Sequence, residues 1–427
     1  MPKFAHLADC HLGAWRDARL RKLNLDAFEQ AMDICVAEKV DFIIISGDLF
    51  HSNIPDLDTV KRTVEELKAV RKAGIRIFVV YGSHDYSPNA VSMVDVLAST
   101  ELFQKVVDVE VAGERLILKP FVDATTGIVI AGLSGRSGEL ERAYFEVLDT
   151  AAIEQQHGFK IFAFHSGVTE LKPRDMSYLR GIPLSRLPPG FNYYAGGHVH
   201  RRIEAKDGNA VIAFPGPLFG STFTDLEDTA KGETRGFYVV EYGETMEQLR
   251  FVEIQLCKIV YEELLVDKKT ARQVNDELKT RVEAINADEA IVLLRVKGTL
   301  ASGTLSEIDF AHAREVLLDK GAVYVLLNRQ ALTTATLTQV TVIGENATDT
   351  EQRLFKEYIG SFKVDLSLPA AVQTTVTKHL TTDQGVTLAR KLFTVLWQER
   401  LENEQKTPYQ QRVTSEAIHM LPGRTTT

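Results

Sequence analysis

The stretch Phe4-Ala5-His6-Leu7-Ala8-Asp9-Cys10-His11 decides the fold of this chain, because an apolar run gives way there to an aspartate and a histidine two residues apart. Four further segments repeat the arrangement. Phe42-Ile43-Ile44-Ile45 leads into Gly47-Asp48, and Ile77-Phe78-Val79-Val80 into Gly82-Ser83-His84-Asp85. Ile161-Phe162-Ala163-Phe164 leads into His165, and Tyr193-Tyr194-Ala195-Gly196 into Gly197-His198-Val199-His200. Short apolar runs of this kind predict buried strands, and polar side chains at the ends of several strands converge on one rim of an α/β sheet. The set Asp9, Asp48, His11, His165, His198 and His200 holds enough donors for two adjacent divalent cations.

In an extended segment residues i and i+2 point the same way, so Asp9 and His11 are expected to grip one ion while Cys10 turns aside. The same spacing projects His198 and His200 together, and these are expected to divide between two ions. Asp48, with two carboxylate oxygens, can bridge metals roughly 3.5–4 Å apart. A mixed imidazole and carboxylate set with open water positions suits Mn2+, with Fe2+ or Zn2+ as alternatives. His6, His157, His312, His379 and His419 have no companion ligands and are read as structural.

The order D-x-H, G-D, G-[N/S]-H-D, H, G-H-x-H resembles the calcineurin-like metallophosphoesterase superfamily. His6-Leu7-Ala8-Asp9-Cys10-His11-Leu12-Gly13 and Ser46-Gly47-Asp48-Leu49-Phe50-His51 are most similar to its double-strand-break repair nucleases of the meiotic-recombination-eleven (SbcD-like) type. The resemblance implies an α/β fold: a layered β-sandwich core with helices outside, a small α/β cap domain and a C-terminal helical segment. It places metal one on Asp9, His11, Asp48 and His200, and metal two on Asp48, His165, His198 and the residue at position 83. The family usually carries asparagine there. Ser83 is a shorter and weaker donor, which predicts looser occupancy of metal two and greater dependence on added manganese. His84 is assigned to the leaving oxygen, with Asp85 expected to orient its ring. His51 would help position the DNA strand, the alternative being an ordinary loop histidine.

The implied activity is a manganese-dependent 3′–5′ exonuclease and endonuclease, working as a homodimer with an SMC-type coiled-coil ATPase in DNA break repair. The homodimer is expected to use helices near 60–70 and 91–97. The net charge of −9 gives no support to general nucleic-acid binding, so DNA contacts must come from local patches. Arg16, Arg19, Arg21 and Lys22 follow the first metal motif, and Arg201 and Arg202 follow the last; each cluster reads either as a DNA contact or as a solvated charged loop. Two other functions use the same metal motifs: a phosphoesterase for small nucleotides or phosphoproteins, and a catalytically weak DNA-end-binding scaffold.

The 427 residues suffice for two or three domains, read as a phosphoesterase domain at 1–250, a cap at 255–345, a helical segment at 349–421 and a disordered tail at 422–427. Predicted helices cover 25–38, 57–72, 92–99, 140–155, 270–285 and 310–318; predicted strands include 42–46, 75–81, 128–133, 160–164, 211–214, 290–296 and 323–327. Towards the C-terminus Leu354, Phe355, Tyr358 and Ile359 form one apolar edge. Leu388, Leu392, Val395, Leu396 and Leu401 form another, read either as internal core or as a docking surface for the ATPase. No apolar run approaches the roughly 20 residues of a membrane span. Three scattered cysteines and an N-terminus that runs straight into a strand point to the cytoplasm.

Overall fold

The computed structural model describes residues 1–87, 91–176, 179–334, 382–396, 398 and 406–419. Residues Met1–Thr334 make one compact unit and Ala335–Thr427 a second.

The apolar runs form the inner strands of two six-stranded sheets. In one sheet Lys3–Leu7, Phe42–Ser46 and Arg76–Val80 run parallel, flanked by antiparallel Gly236–Tyr242 and Met246–Glu253 and, at the other edge, Gln104–Lys105. In the other sheet Val129–Leu133, Lys160–His165, Tyr193–Gly197 and Ala210–Phe214 run parallel between antiparallel edge strands Phe121–Val122 and Ile203–Asp207. Alternation along each strand sorts its side chains between two cores. Phe4, Phe42, Ile44 and Phe78 meet Ile130, Ile161, Ala163 and Tyr193 between the sheets. Ala5, Leu7, Ile43 and Ile45 instead pack on Phe28, Met32 and Leu67 of the outer helices. Burial on both faces explains why these strands read as unbroken apolar runs.

His6 lies within the sandwich, 0% exposed, with Nδ1 2.9 Å from the Tyr193 hydroxyl and Nε2 3.1 Å from Ser46 Oγ. Burial pulls its pKa from 6.5 down to about 3, against a hydrogen bond to the Gly196 backbone. The unfolded chain therefore takes up this proton first. The group's contribution is complete above about pH 6.5 and is lost as pH falls toward 3, by about 1.4 kcal/mol per unit. Urea unfolding at pH 7 and pH 5 checks this: the loss of stability in His6→Gln is expected to be about 2 kcal/mol smaller than in the parent. An equal loss in both proteins would contradict it.

The predicted helices at 57–72, 92–99, 270–285 and 310–318 are found as Leu57–Lys72, Met93–Ala98, Ala271–Ala284 and Phe310–Asp319. Two expectations fail. The first helix spans Ala18–Ala37, seven residues earlier than expected, because Asp17 caps it by accepting from the Arg19 N–H. Arg19, Arg21 and Lys22 are therefore helical and not part of a loop. The predicted helix at 140–155 is two single turns, Arg142–Phe145 and Ala151–Glu154, separated by the short strand Leu148–Asp149. That strand pairs with Leu116–Ile117. Val147, Asp149 and Thr150 are poor helix formers, and the nearby sheet edge takes their backbone groups.

Residues 258–334 build a smaller parallel sheet from Lys258–Leu265, Ala290–Leu300 and Tyr324–Asn328, with Leu332–Thr334 pairing the far end of the central strand. One face is covered by Ala271–Ala284 and Phe310–Asp319. The other presents Ile291, Leu293, Tyr261 and Leu326 to the phosphoesterase side, where Leu226 and Phe223 of the helix Phe223–Ala230 share their core. Arg295 reaches across to pair with Glu227 on that helix.

In the second unit the helices Asp383–Leu396 and Lys406–His419 are described, linked where the Tyr409 hydroxyl donates to the Gln398 carbonyl at 2.9 Å. Val395 is buried, Leu388 and Leu392 are half-buried, and Leu396 is 62% exposed. Val395 thus serves intramolecular packing, and Leu396 is left to face outward. Leu354, Phe355, Tyr358, Ile359, Leu401 and the tail at 422–427 lie outside the described residues.

Candidate dimetal centre

The ends of Lys3–Leu7 and Phe42–Ser46 turn sharply, not as extended chain. Asp9, His11 and Asp48 all have left-handed backbone, with φ of 52°, 44° and 52°. The i,i+2 argument for Asp9 and His11 therefore fails: they converge through two strained residues, each costing on the order of 1–3 kcal/mol. Loop-to-loop hydrogen bonds offset that strain. The Asp9, His11 and Leu12 N–H groups donate to the carbonyls of Gly47, Asp48 and Leu49 at 3.1, 2.8 and 2.9 Å. Buried Asn24 adds a brace, donating to the Cys10 carbonyl at 3.0 Å and accepting from the Gly13 N–H at 3.2 Å. Its part was missed in the sequence, where it reads as an ordinary helical polar residue.

Two glycines make room for close approach between the strand ends. A Cβ on Gly82 would stand 2.0 Å from Asp48 Oδ1, and one on Gly197 1.9 Å from the Ser46 carbonyl oxygen. With that space left open, the donors of Asp9, His11 and His200 lie within 4.8 Å of one another, and so do those of Asp9, Asp48 and His165. His11 Nε2 is 3.0 Å from His200 Nε2 and 3.6 Å from Asp48 Oδ2. His165 Nε2 is 3.2 Å from Asp48 Oδ2 without making a hydrogen bond.

This donor set fits divalent cations. Ring nitrogens of His165 and His198 are buried with no hydrogen-bond partner. Such buried orphan nitrogens are unfavourable unless a cation meets them. Asp9, His11, Asp48 and His200 would hold one ion, and Asp48 and His165, with His198 and Ser83 beside them, the other. The His198 N–H also donates to Asp9 at 2.9 Å. Ser83 lines a cleft of ≈ 360 Å³ together with His165 and His198.

The other nitrogen of His165 and of His200 is fixed from behind. His165 Nδ1 meets the Ser46 carbonyl at 2.9 Å. His200 Nδ1 meets both oxygens of Asp225 at 3.1 and 3.2 Å. Asp225 in turn accepts from the Ser221 N–H, the Ser221 hydroxyl and the Thr222 N–H, at 2.9, 3.0 and 3.0 Å. Buried Arg235 donates to the carbonyls of His200 and Asp225 at 2.7 and 2.6 Å. Neither residue was expected from the sequence. The only signal for Asp225 is its place in a Thr-x-x-Asp helix cap, which says nothing about a histidine 25 positions away.

These contacts set the charges. Burial opposes protonation of His165, but Asp48 and Asp9 outweigh it and lift its pKa to about 10. Burial likewise opposes the charge on His200, and Asp225 lifts it to about 9. Burial pulls His198 down to about 3, with His165 adding to the effect. Asp48 is held well below the usual carboxylate range by His165 and His11 despite its burial.

Asp85 does not orient His84. Its carboxylate accepts from the N–H groups of Gly82, Phe50 and Leu49 at 2.9, 3.2 and 3.3 Å, tying two metal loops together, while burial and the Asp48 charge push it up to about 6. His84 is instead held at Nδ1 by the His51 carbonyl at 2.7 Å, and its own N–H donates to Asp48 Oδ1 at 2.8 Å. The rings of His11, His51 and His84 cluster, with His51 and His84 stacked at 5.0 Å.

The predicted DNA-contact residues are largely engaged by carboxylates. Arg201 pairs with Asp228 and Asp175, both at 2.8 Å, and Arg202 with Glu204 at 2.6 Å. Lys22 pairs with Asp26 at 2.6 Å, and Arg19 and Arg21 lie 3.5 and 3.9 Å from Asp17 and Asp56. Arg16 is exposed and makes no ion pair among the described residues.

Residues 2–202 match the calcineurin-like phosphoesterase family, and they form a calcineurin-like metallophosphoesterase domain, that of a metal-dependent phosphoester hydrolase. Beyond that domain the chain is similar to the DNA double-strand break repair protein Mre11 of Methanococcus maripaludis, 27% identical over 66% of this chain and 74% of that protein. The protein of the same description from Archaeoglobus fulgidus is 32% identical, over 51% of this chain and 50% of its own length. Among solved structures, a dimetal phosphatase from Danio rerio overlaps 60% of this chain and 99% of its own, at 10% identity and a TM-score of 0.36. Among the described residues no helix is long and apolar enough to cross a membrane.

Proposed function

We propose that this protein is a two-metal DNA nuclease of break repair, using Mn2+. The observation that carries the hydrolytic part is the convergence of Asp9, His11, Asp48, His165 and His200 from four separate strand ends. The likeness to proteins described as Mre11 supports DNA as the substrate. When bound, the paired cations supply an activated water and neutralise charge on the phosphodiester oxygens. Asp48 would be shared by the two cations, and the Ser46 carbonyl and Asp225 orient the His165 and His200 rings. His84, its ring anchored by the His51 carbonyl, presents its remaining nitrogen to the leaving 3′-oxygen.

Exposed apolar residues Ile54, Leu57, Val91 and Val96 support a homodimer contact. Val70 and Leu97 are themselves buried and take no part in it. The exposed Leu396 supports docking of a coiled-coil ATPase.

Incubation with linear duplex DNA, single-stranded DNA and bis(p-nitrophenyl) phosphate, with Mn2+ or with EDTA, tests this reading. DNA degradation that needs Mn2+ is the expected outcome. Turnover of the small diester alone would replace it with a small-substrate phosphodiesterase. If the two ions bind equally tightly by calorimetry, Ser83 is not the weak ligand proposed.

A further inference from the structure

The cleft beside His165 and His198 is also lined by Arg136 and Arg180, neither of which belongs to a metal motif. Two carboxylates face the same cleft, but they grip backbone. Glu141 accepts from the Arg136 N–H at 2.9 Å and Glu139 from the Arg180 N–H at 3.3 Å. Neither guanidinium makes an ion pair among the described residues, in contrast to Arg201 and Arg202. The Arg136 guanidinium carbon lies 5.1 Å from the centre of the Tyr86 ring, and Tyr86 is 40% exposed although it follows directly on the metal loop. An exposed aromatic ring with one guanidinium over it, and a second guanidinium in the adjoining cleft, neither paired with a carboxylate, is a grouping that suits single-stranded nucleic acid, with a base stacking on the ring and the cations meeting phosphates.

We infer that Tyr86, Arg136 and Arg180 form a nucleotide subsite on the metal-two side of the cleft, which receives a single-stranded DNA segment next to the scissile phosphate. This rests on the nuclease reading above and names how that site tells a DNA strand from a small phosphodiester. Glu139 and Glu141 keep the local charge low, so the phosphate contacts depend on direction and not on a general positive field. The subsite makes the strand unstack at the cleft, because Tyr86 can only take a base that has left its duplex neighbour.

The test uses the full chain and fluorescein-labelled oligothymidylate of 12 nucleotides, in EDTA so that it is not cut. Binding is followed by anisotropy between 50 and 300 mM salt. Each phosphate contact adds about 0.7 to the slope of log affinity against log salt. The double variant Arg136→Ala/Arg180→Ala is expected to lose about 1.4 from that slope, and Arg136→Lys/Arg180→Lys to keep it. Tyr86→Ala is expected to weaken binding about 5- to 100-fold at unchanged slope. With Mn2+, each alanine variant should lower the ratio of kcat/KM on the oligonucleotide to that on bis(p-nitrophenyl) phosphate. An unchanged slope in the alanine pair, or a lysine pair as low as the alanine pair, overturns the subsite. If the parent hydrolyses the small diester but neither binds nor cuts DNA, the nuclease reading itself fails.

Discussion

Exchange of His84 for alanine is expected to lower kcat on phosphodiesters by about 10²- to 10⁴-fold, the range of a lost general acid, with both cations still bound. The separation of these effects follows from how the residue is held. Its contact with Asp48 is made by the backbone N–H, at 2.8 Å, and survives removal of the ring. Among the described residues the ring's hydrogen bond is made at Nδ1, to the His51 carbonyl at 2.7 Å, which leaves its other nitrogen for the leaving oxygen. Burst kinetics together with metal analysis of the purified variant check this. Loss of a metal along with activity would show that the imidazole is a ligand, a role the close packing of the His11, His51 and His84 rings keeps within reach.

Removal of the Asp225 carboxylate has the second large effect. A hydrogen-bonded carboxylate behind a ligating imidazole contributes about 10- to 100-fold in metal affinity. Asp225→Ala is therefore expected to weaken the tighter Mn2+ site by that factor and to leave the His165 side less affected. The proton balance is a second readout. His200, lifted to about 9, carries a proton at pH 7 that an entering cation must displace, as does His165 at about 10. Calorimetric titration in buffers of different ionisation enthalpy should show fewer protons released in Asp225→Ala, because an imidazole without its carboxylate is already neutral. An unchanged proton count would mean that Asp225 does not act on His200. Because both pKa values lie above neutrality, Mn2+ affinity of the parent rises with pH from 7 towards 10.

The strands and the aspartates and histidines at their ends were legible because each carries its evidence locally. Phe42-Ile43-Ile44-Ile45 is a buried parallel strand whatever surrounds it, and Gly47-Asp48 at its end puts a carboxylate on the sheet rim. Asp85 was placed correctly beside the site and given the wrong partner, since the adjacent His84 is nearer in sequence than the Leu49 and Phe50 amides that it binds. The helix expected at 140–155 failed for the same reason, as the strand that claims Leu148–Asp149 lies some 30 residues earlier. The arginines show the limit most clearly. Arg201 and Arg202 follow a metal motif but face Asp228, Asp175 and Glu204, whereas Arg136 and Arg180 follow none and line the cleft.

By itself, then, the sequence determined the layered α/β scaffold and which carboxylates and imidazoles gather at its strand ends, because strand patterning and side-chain identity are properties of short segments. Only the tertiary structure decided how those groups are held: the left-handed turns at Asp9, His11 and Asp48, the Asp225–His200 contact, and the placing of Arg136 and Arg180 in the cleft. These depend on which backbone amides and charges meet across loops far apart in the chain. No local pattern encodes such meetings, since a carboxylate satisfies the nearest donor in space.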